Sequence, residues 1–449
     1  VTTPTPTDPS KKLNVLLVGG GGREHALAEA IAASPRLGTL YASHCDNPGI
    51  AALATPAGVP IDAATAYRAQ FFCRDKDIDL VVIGPEGPLA AGLADCLREK
   101  GVAVFGPGKD GAKLEADKHW AKDLMRQAAV PTGESRSFTD AENAVAYSLS
   151  RTQPPVIKAT GLAAGKGVIV PKTHKEAADA IRSMLVAKVF GDAGKRILVE
   201  ERLEGPEVSV FALTDGKGVY ILDACQDHKR LKDGDEGPNT GGMGAFCPST
   251  LIDDATMERV EREILLPVID SMRRLEIDYR GVIYAGLMLT AAGPKVIEFN
   301  ARFGDPECQV LLPRLASDAL EMLYATATGH VESLELAWHP GAAVCVVLAS
   351  PGYPERPTTG QAITGIEDAQ AMEGVYVYHA GTKLDKGSGQ FVTAGGRVLG
   401  VTALGDTVDH ARSRAYEAAG KIHFNGMQLR RDIALSRGEA PKLAANRQG

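Results

Sequence analysis

The sequence predicts an α/β protein of several domains, beginning with a doubly wound parallel sheet. Three observations carry this expectation. At 449 residues the chain is too long for one hydrophobic core and divides into two to four domains. Short apolar runs alternate with helical stretches near the N-terminus, the pattern of strands joined by helical crossovers. Hydrophobic content of 44% and charged content of 23% are ordinary for globular chains.

The first unit is expected at residues 13–114. Residues 13–18 form a continuous apolar strand, 23–33 an alanine-rich helix, and 39–42, 80–83 and 102–105 further strands. The glycine run Gly19 to Gly22 joins the first strand to the helix. It fails the dinucleotide fingerprint, because the sixth position is Glu24 counted from Gly19 and His25 counted from Gly20. What remains is a strand, a glycine turn and a helix N-terminus bearing Arg23, which suits a single phosphate.

The second unit is expected at 115–329, with a smaller lid at about 128–203. Within it, Pro155-Val-Ile-Lys158-Ala-Thr-Gly161-Leu-Ala-Ala-Gly165-Lys166-Gly167-Val-Ile-Val170 reads as two β-rich runs joined by a glycine-rich turn. Glycine lets backbone amides approach an anion, and lysine supplies a point charge for phosphate oxygens. A Walker loop is excluded, since Gly167 is followed by Val-Ile-Val in place of a hydroxyl residue and a helix. Next, Ile197-Leu-Val-Glu200-Glu201-Arg202-Leu203 ends a strand in acids, and a Gly-Pro turn leads to a strand opening at Glu207. In this order the pieces can clamp a nucleotide, with a backbone hinge near Glu201 to Leu203 and Glu207 facing ribose. Finally, Lys295-Val-Ile-Glu298-Phe-Asn300-Ala-Arg302-Phe-Gly-Asp305-Pro-Glu307 delivers polar groups at a strand end. Alternation puts Glu298, Asn300 and Arg302 on one face and Phe299 in the core. Carboxylate and amide oxygens are hard ligands suited to Mg²⁺, and an arginine fork beside them grips phosphate or carboxylate; taken alone, the same run is also a charged strand end closed by a salt bridge.

A third α/β unit is expected at 330–436, with strands at 343–348, 375–379 and 397–403, a turn-rich loop at 351–357 and a helix at 407–420. Residues 1–12 read as a disordered leader and 437–449 as a frayed tail.

The formal charge of −7 argues against nonspecific nucleic-acid binding, so any phosphate grip is local. Seven scattered cysteines with no Cys-x-x-Cys pair suggest reduced thiols and not zinc or a redox centre. No apolar run approaches the roughly 18 residues of a membrane span, and the first twelve residues lack a signal peptide's apolar stretch. The expected location is the cytoplasm, with no membrane partner.

Hairpin, hinge and acidic strand in this order resemble the ATP-grasp superfamily. Val18-Gly-Gly-Gly-Gly-Arg23-Glu24-His25-Ala26, Gly161 to Gly167, Gln226-Asp-His-Lys-Arg230, Gly237-Pro-Asn-Thr-Gly-Gly-Met-Gly244 and Glu298 to Glu307 narrow the resemblance to the glycinamide ribonucleotide synthetases, over residues 13–432. The resemblance implies an N-terminal doubly wound parallel-sheet domain, a central ATP-grasp domain with a lid, and a C-terminal α/β domain. It implies ligation of glycine to 5-phosphoribosylamine with ATP as co-substrate and Mg²⁺ or Mn²⁺ as metal, through a glycyl phosphate, and a transient contact with the enzyme supplying phosphoribosylamine.

By the same resemblance, Lys118 and Lys158 grip phosphates under the hairpin of Gly161, Gly165, Lys166 and Gly167. Glu200, Glu201 and the Leu203 backbone read adenine, and Glu207 takes the ribose. Glu298 and Asn300 hold metal, and Arg302 steadies the transferred phosphoryl group, with Lys158 and Asp305 also counted as catalytic. Gly21, Gly22, Arg23 and Glu24 hold the phosphoribosyl substrate, while Asp227, Lys229, Asn239, Thr240 and Gly241 surround glycine and the amine. His25 and His228 are either general bases or simply hydrogen-bonded. Gly20 replaces a usual asparagine, Ser43 to Gly49 departs from the family segment, and residues 285–290 carry no second metal-binding acid. Rival readings are a bicarbonate-activating carboxylase, a nucleotide-sensing scaffold and, weakest, a hydride-transfer oxidoreductase.

Overall fold

The N-terminal strands β1 (Leu13–Val18), β2 (Leu37–Ala42), β3 (Thr55–Pro56), β4 (Leu80–Ile83) and β5 (Ala103–Phe105) form a parallel sheet in the order β3-β2-β1-β4-β5. The structure is a computed structural model and describes residues 11–163 and 165–435. The expected tail, and the expected leader apart from Lys11 and Lys12, lie outside the described residues. In β1, Leu13, Val15 and Leu17 join one core while Leu16 and Val18 join another. A strand buried on both faces reads as an apolar run and not as an alternation, and Asn14 alone in β1 is polar and part-exposed. The helix Gly22–Ala32 covers one face through Leu27 and Ile31.

The lid is an antiparallel sheet of β6 (Ser135–Phe138), β7 (Val156–Ala159), β8 (Val168–Ile169) and β9 (Ile197–Glu200), in the order β6-β9-β7-β8. Helices Ala141–Leu149 and His174–Leu185 pack on it through Ala144, Ile181 and Met184 against Ile157 and Val199. A second antiparallel sheet holds β10 (Glu207–Thr214), β11 (Val219–Ile221), β16 (Gly281–Thr290) and β17 (Gly293–Asn300), in the order β11-β10-β16-β17. Helix Leu266–Arg274 packs behind it through Val268 and Ile269, next to Ile283 and Val296.

The remaining large sheet crosses the chain's sequence order. β12 (Gln226–Asp227) and β15 (Gly244–Cys247) pair with β18 (Ala342–Ala349), which continues to β22 (Arg397–Gly405) and β19 (Val375–His379). The loop between β12 and β15 carries a hairpin of β13 (Arg230–Lys232) and β14 (Glu236–Asn239). A second hairpin, β20 (Thr382–Leu384) with β21 (Phe391–Thr393), lies between β19 and β22. Among the described residues no helix is long and apolar enough to cross a membrane.

One local expectation needs correction. Glu298 and Asn300 lie on β17 with Phe299 buried between them, but the strand ends at Asn300. Strand alternation therefore does not place Arg302, which belongs to the following loop. β17 also carries an irregularity, pairing Glu298 with Gly286 but Val296 with Leu287, as a β-bulge does when it re-aims side chains beside a site.

Candidate active site

A cleft of about 1120 Å³ opens where the lid, the ends of β16 and β17 and the loop 226–241 face one another. Its wall includes Lys118, Lys158, Gly165, Gly167, Glu200, Glu201, Leu203 and Glu207 from the nucleotide set. It also includes Asp227, Lys229, Asn239, Thr240 and Gly241, together with Glu298, Asn300, Arg302 and Asp305. Gly161, Lys166 and the four residues Gly21 to Glu24 are off this wall.

At the lid side, Lys158 stands at the root of the β7–β8 hairpin, opposite Val168. It is 3% exposed, donates to the Ile297 carbonyl at 2.9 Å, and lies 2.9 Å from Glu200 Oε2. That ion pair is close, yet Oε2 accepts no well-directed hydrogen bond among the described residues. Glu200 Oε1 accepts from Lys122 Nζ at 2.7 Å, and Lys122 also donates to Thr132 Oγ1 at 2.6 Å. Burial pulls Lys122 down to about 8 against the opposing pull of Glu200.

The hairpin turn reaches across the cleft. Gly165 has φ +74°, and a Cβ there would lie 3.8 Å from the Thr240 carbonyl oxygen. Gly165→Val therefore forces a β-branched side chain into left-handed backbone, a strain of about 1–3 kcal/mol, so ATP use is expected to fall about 5- to 100-fold. Titrating ATP in a steady-state assay checks this, and unchanged affinity with unchanged turnover would count against the hairpin as the phosphate cover.

Across from the lid, Glu298 is surrounded by cations. Burial works to raise its pKa, but Lys229, Lys118, Lys158 and Arg302 together hold it at about 2. It is therefore a carboxylate at any working pH, as a hard-metal ligand must be. Lys229 lies 3.7 Å from Glu298 and 3.2 Å from Glu207 at the opening of β10. Arg302 pairs with Glu115 at 2.9 Å and approaches Glu86 at 3.5 Å, while its Nε makes no hydrogen bond among the described residues. Glu115 also accepts the Ala301 N–H at 2.8 Å, which fixes the loop after β17.

A buried acidic pocket continues from the end of β17. Glu307 is 2% exposed and accepts from Tyr284 Oη at 2.8 Å and Ser209 Oγ at 3.3 Å. Burial and the nearby Glu307 push the Asp227 carboxyl well above the usual range, and its Oδ1 has no hydrogen-bond partner among the described residues. Gly242, at φ +110°, passes so close that a Cβ would meet Asp227 Oδ1 at 2.8 Å and Pro306 Cδ at 2.5 Å. Asp305 accepts from Gln309 Nε2 at 2.8 Å and from the Arg23 backbone N–H at 3.4 Å, and pairs with Arg397 at 3.3 Å. Burial alone would raise its pKa, but Arg397 and Arg23 hold it below the usual carboxylate value.

Comparison with known proteins gives the geometry a family. Models of phosphoribosylglycinamide synthetase match in three consecutive pieces: the N domain over residues 13–115, the ATP-grasp (A) domain over 116–308 and the C domain over 343–436. The chain is 48% identical over 430 residues to phosphoribosylamine–glycine ligase of Rhodopirellula baltica, covering 94% of this chain and 97% of that one. This chain belongs to the phosphoribosylglycinamide synthetase family. The crystal structure of phosphoribosylamine–glycine ligase from Thermotoga maritima superposes with TM-score 0.81 at 32% identity, covering 94% of this chain and 100% of that chain. Biotin carboxylase from Campylobacter jejuni shares the fold, with TM-score 0.69 at 16% identity over 96% of this chain and 95% of its own.

Set in this synthetase family, the glycine turn of the N domain differs in detail from the sequence expectation. Gly21 and Gly22 face Asp305, since Cβ atoms on them would lie 3.6 and 3.9 Å from its carboxylate oxygens. The Arg23 guanidinium, however, turns inward: it lies 2.7 Å from Glu24 Oε1, donates to the Phe303 carbonyl at 3.1 Å, and the residue is 6% exposed. Glu24 in turn accepts the Gly21 N–H at 2.7 Å. Arg23 thus braces the turn from behind and is not open on the cleft. Arg23→Ala leaves Glu24 buried without its cation, so a loss of about 3–5 kcal/mol of stability is expected. Alongside this, the phosphoribosylamine concentration for half-maximal rate should rise while ATP affinity holds; a thermal melt and two substrate titrations read both effects. His25 is off the cleft wall, where its Nδ1 accepts the His379 N–H at 2.8 Å, and burial with His379 lowers it to about 3. His228 lies on the wall.

Sequence reading missed four groups that the fold brings to the site. Arg397 donates to the carbonyls of Gly241 and Asp305 at 2.6 Å each, and Tyr353 Oη accepts the Gly241 N–H at 3.0 Å. Both come from the C-terminal segment and clamp the loop that sequence reading placed around glycine. Glu115 and Lys122 were passed over because each sits beside a more familiar landmark, Lys118. The only available signal for Lys122 was a lysine on the helix Lys118–Gln127 at a position that faces the core.

Proposed function

We propose that this cleft joins glycine to 5-phosphoribosylamine, converting ATP to ADP and phosphate, by way of a glycyl phosphate. The enzyme is a carbon–nitrogen ligase of purine biosynthesis. The observation that carries the mechanism is that one continuous wall holds Lys118, Lys158, Glu298, Asn300 and Arg302 beside the acidic pocket of Asp227, Glu307 and Asp305. A phosphate-gripping region and an amine-binding region in one space are what a two-step activation and condensation needs.

Glycine's carboxylate resists attack because it is already negative. Its oxygen takes the γ-phosphoryl group, ADP departs, and the resulting acyl phosphate carries a good leaving group. The sugar amine then adds to the carbonyl carbon, phosphate leaves with the C–O bond electrons, and the amine gives up a proton. Lys118 and Lys158 hold phosphate oxygens, and Arg302, whose Nε makes no hydrogen bond among the described residues, offers its guanidinium to the transferring group. Glu307 draws the ammonium and amine groups into the pocket, and Asp227, made a stronger base by burial and Glu307, accepts the proton at Oδ1. Lys229, Asn239, Thr240 and Gly241 orient glycine. The turn of Gly21 and Gly22 seats the sugar against Asp305, and buried Glu24 holds that turn through the Gly21 N–H. The lid hairpin of Gly161 to Gly167, with exposed Lys166, keeps water from the acyl phosphate. Glu200 Oε2 and the Leu203 backbone meet adenine beside Glu201, and Glu207 meets the ribose.

Glu298 and Asn300 fit Mg²⁺ or Mn²⁺: one is a carboxylate held at about 2, the other an amide oxygen on the same strand face. Among the described residues no group of three His, Cys, Asp or Glu is arranged as a metal cage, which suits an ion bound by one or two protein oxygens plus substrate phosphates. Such an ion supplies charge neutralisation of the phosphate oxygens. This reading includes a cytoplasmic location and a transient hand-over contact with the enzyme that makes phosphoribosylamine. ADP release measured with glycine and freshly generated phosphoribosylamine, against each alone, tests the function. Release that depends on both supports it, and release driven by bicarbonate would overturn it.

A further inference from the structure

Lys122 is a buried cation that the mechanism above does not use. Its side chain is 4% exposed, its helix starts at Lys118, and its Nζ is anchored between Glu200 Oε1 at 2.7 Å and Thr132 Oγ1 at 2.6 Å. Thr132 passes the anchor on by donating to the Val296 carbonyl at 2.6 Å, on β17 just before Glu298. Glu200 is thereby shared by two lysines, one on each carboxylate oxygen.

From this geometry we propose that Lys122 is a positioning residue for nucleotide binding: it shares the charge of Glu200 through Oε1, so that Lys158, paired at Oε2, is not the sole counter-ion and keeps positive charge for the phosphates. The inference rests on the reading of Lys158 as a phosphate lysine. Charge counting gives the reason. With Lys122 present the three groups sum to one positive charge facing the cleft. Without it they sum to zero, and Glu200 holds Lys158 as its sole counter-ion, since a buried carboxylate cannot stay unpaired. Lys122 is still charged at neutral pH, with burial lowering it only to about 8 while Glu200 raises it, and Lys158 and Glu201 are the other charges acting on it.

Lys122→Gln removes the charge while keeping a hydrogen-bonding side chain. Calorimetric titration of ATP into the intact enzyme is expected to show about tenfold or greater loss of affinity, the scale of one charge-assisted contact. Half-saturating glycine and phosphoribosylamine should stay within about twofold, and Lys122→Arg should recover most of the ATP affinity. The decisive arm is a double-mutant cycle: once Glu200→Gln has removed the carboxylate charge, adding Lys122→Gln should cost less than about twofold further, because no anion is left to capture Lys158. Normal ATP affinity in Lys122→Gln, or an equal loss in both backgrounds, would overturn the proposal. If the single variant does not fold, Lys122→Gln/Glu200→Gln leaves no buried charge unpaired between these two and is compared with Glu200→Gln alone. Equal affinity supports the proposal and weaker affinity overturns it. Lys158→Met serves as a control on the underlying reading: if that variant binds ATP normally, the phosphate role of Lys158 fails on its own, whatever Lys122 does.

Discussion

Turnover of Glu298→Gln is expected to fall about 10²- to 10³-fold, the range for removing one preorganised group that stabilises developing charge. The substitution keeps shape and hydrogen-bonding capacity but removes the only carboxylate on the β17 face that carries Asn300. Four cations hold that carboxylate ionised, so its neutral replacement changes the electrostatics of the phosphate site and not only one contact. Little loss of fold is expected, because Glu298 is only part-buried and its neighbour Lys229 keeps Glu207 at 3.2 Å. Asn300→Ala should act in the same direction with a smaller effect, since an amide oxygen carries no net charge. Steady-state rates at limiting Mg²⁺ and Mn²⁺ check both variants. Near-normal turnover of Glu298→Gln at limiting metal would sink the metal assignment.

Arg302→Met should lower both turnover and stability, and the two losses can be separated. Although burial opposes it, Glu115 and Glu86 hold the guanidinium firmly protonated. Removing it leaves Glu115, which is 8% exposed, without its cation. A broken buried pair costs about 3–5 kcal/mol, which appears as a lowered melting temperature. The catalytic loss, about 10²- to 10³-fold, has a separate origin in the lost charge beside the transferring phosphoryl group. Adding Glu115→Gln to Arg302→Met removes the stranded carboxylate, so the double variant should regain much of the stability and little of the turnover. If rate recovers together with stability, Arg302 is a bracing residue and its role at the phosphoryl group falls.

Much of this site was legible in the chain because its parts are local. The Gly161 to Gly167 turn lies between two strand-forming runs, so hairpin, glycine and Lys158 could be placed together from sequence. Glu298 and Asn300 share a face because a strand has period two. The limits of such reasoning are visible at Arg302, two residues past the end of β17, where loop geometry and the Glu115 and Glu86 carboxylates take over from alternation. Arg23 shows the same limit. A basic residue at a helix N-terminus reads as an anion ligand, but the adjacent Glu24 captures its guanidinium.

By itself the sequence determined which elements form and which short-range chemistry they carry: the apolar strands, the glycine turns, the acids at strand ends and the family motifs. Only the tertiary structure decided how distant segments share one site. β12 and β15 hydrogen-bond into the C-terminal sheet through β18, so Arg397 and Tyr353 reach the Gly241 loop across more than a hundred residues. Lys122, Glu200 and Lys158 likewise meet as a buried triad although each belongs to a different element. The physical reason is range. Propensity and periodicity act over a few residues, whereas the pairing of buried charges depends on which surfaces the folded chain brings within about 3–4 Å, and a buried charge must find its partner wherever the fold supplies one.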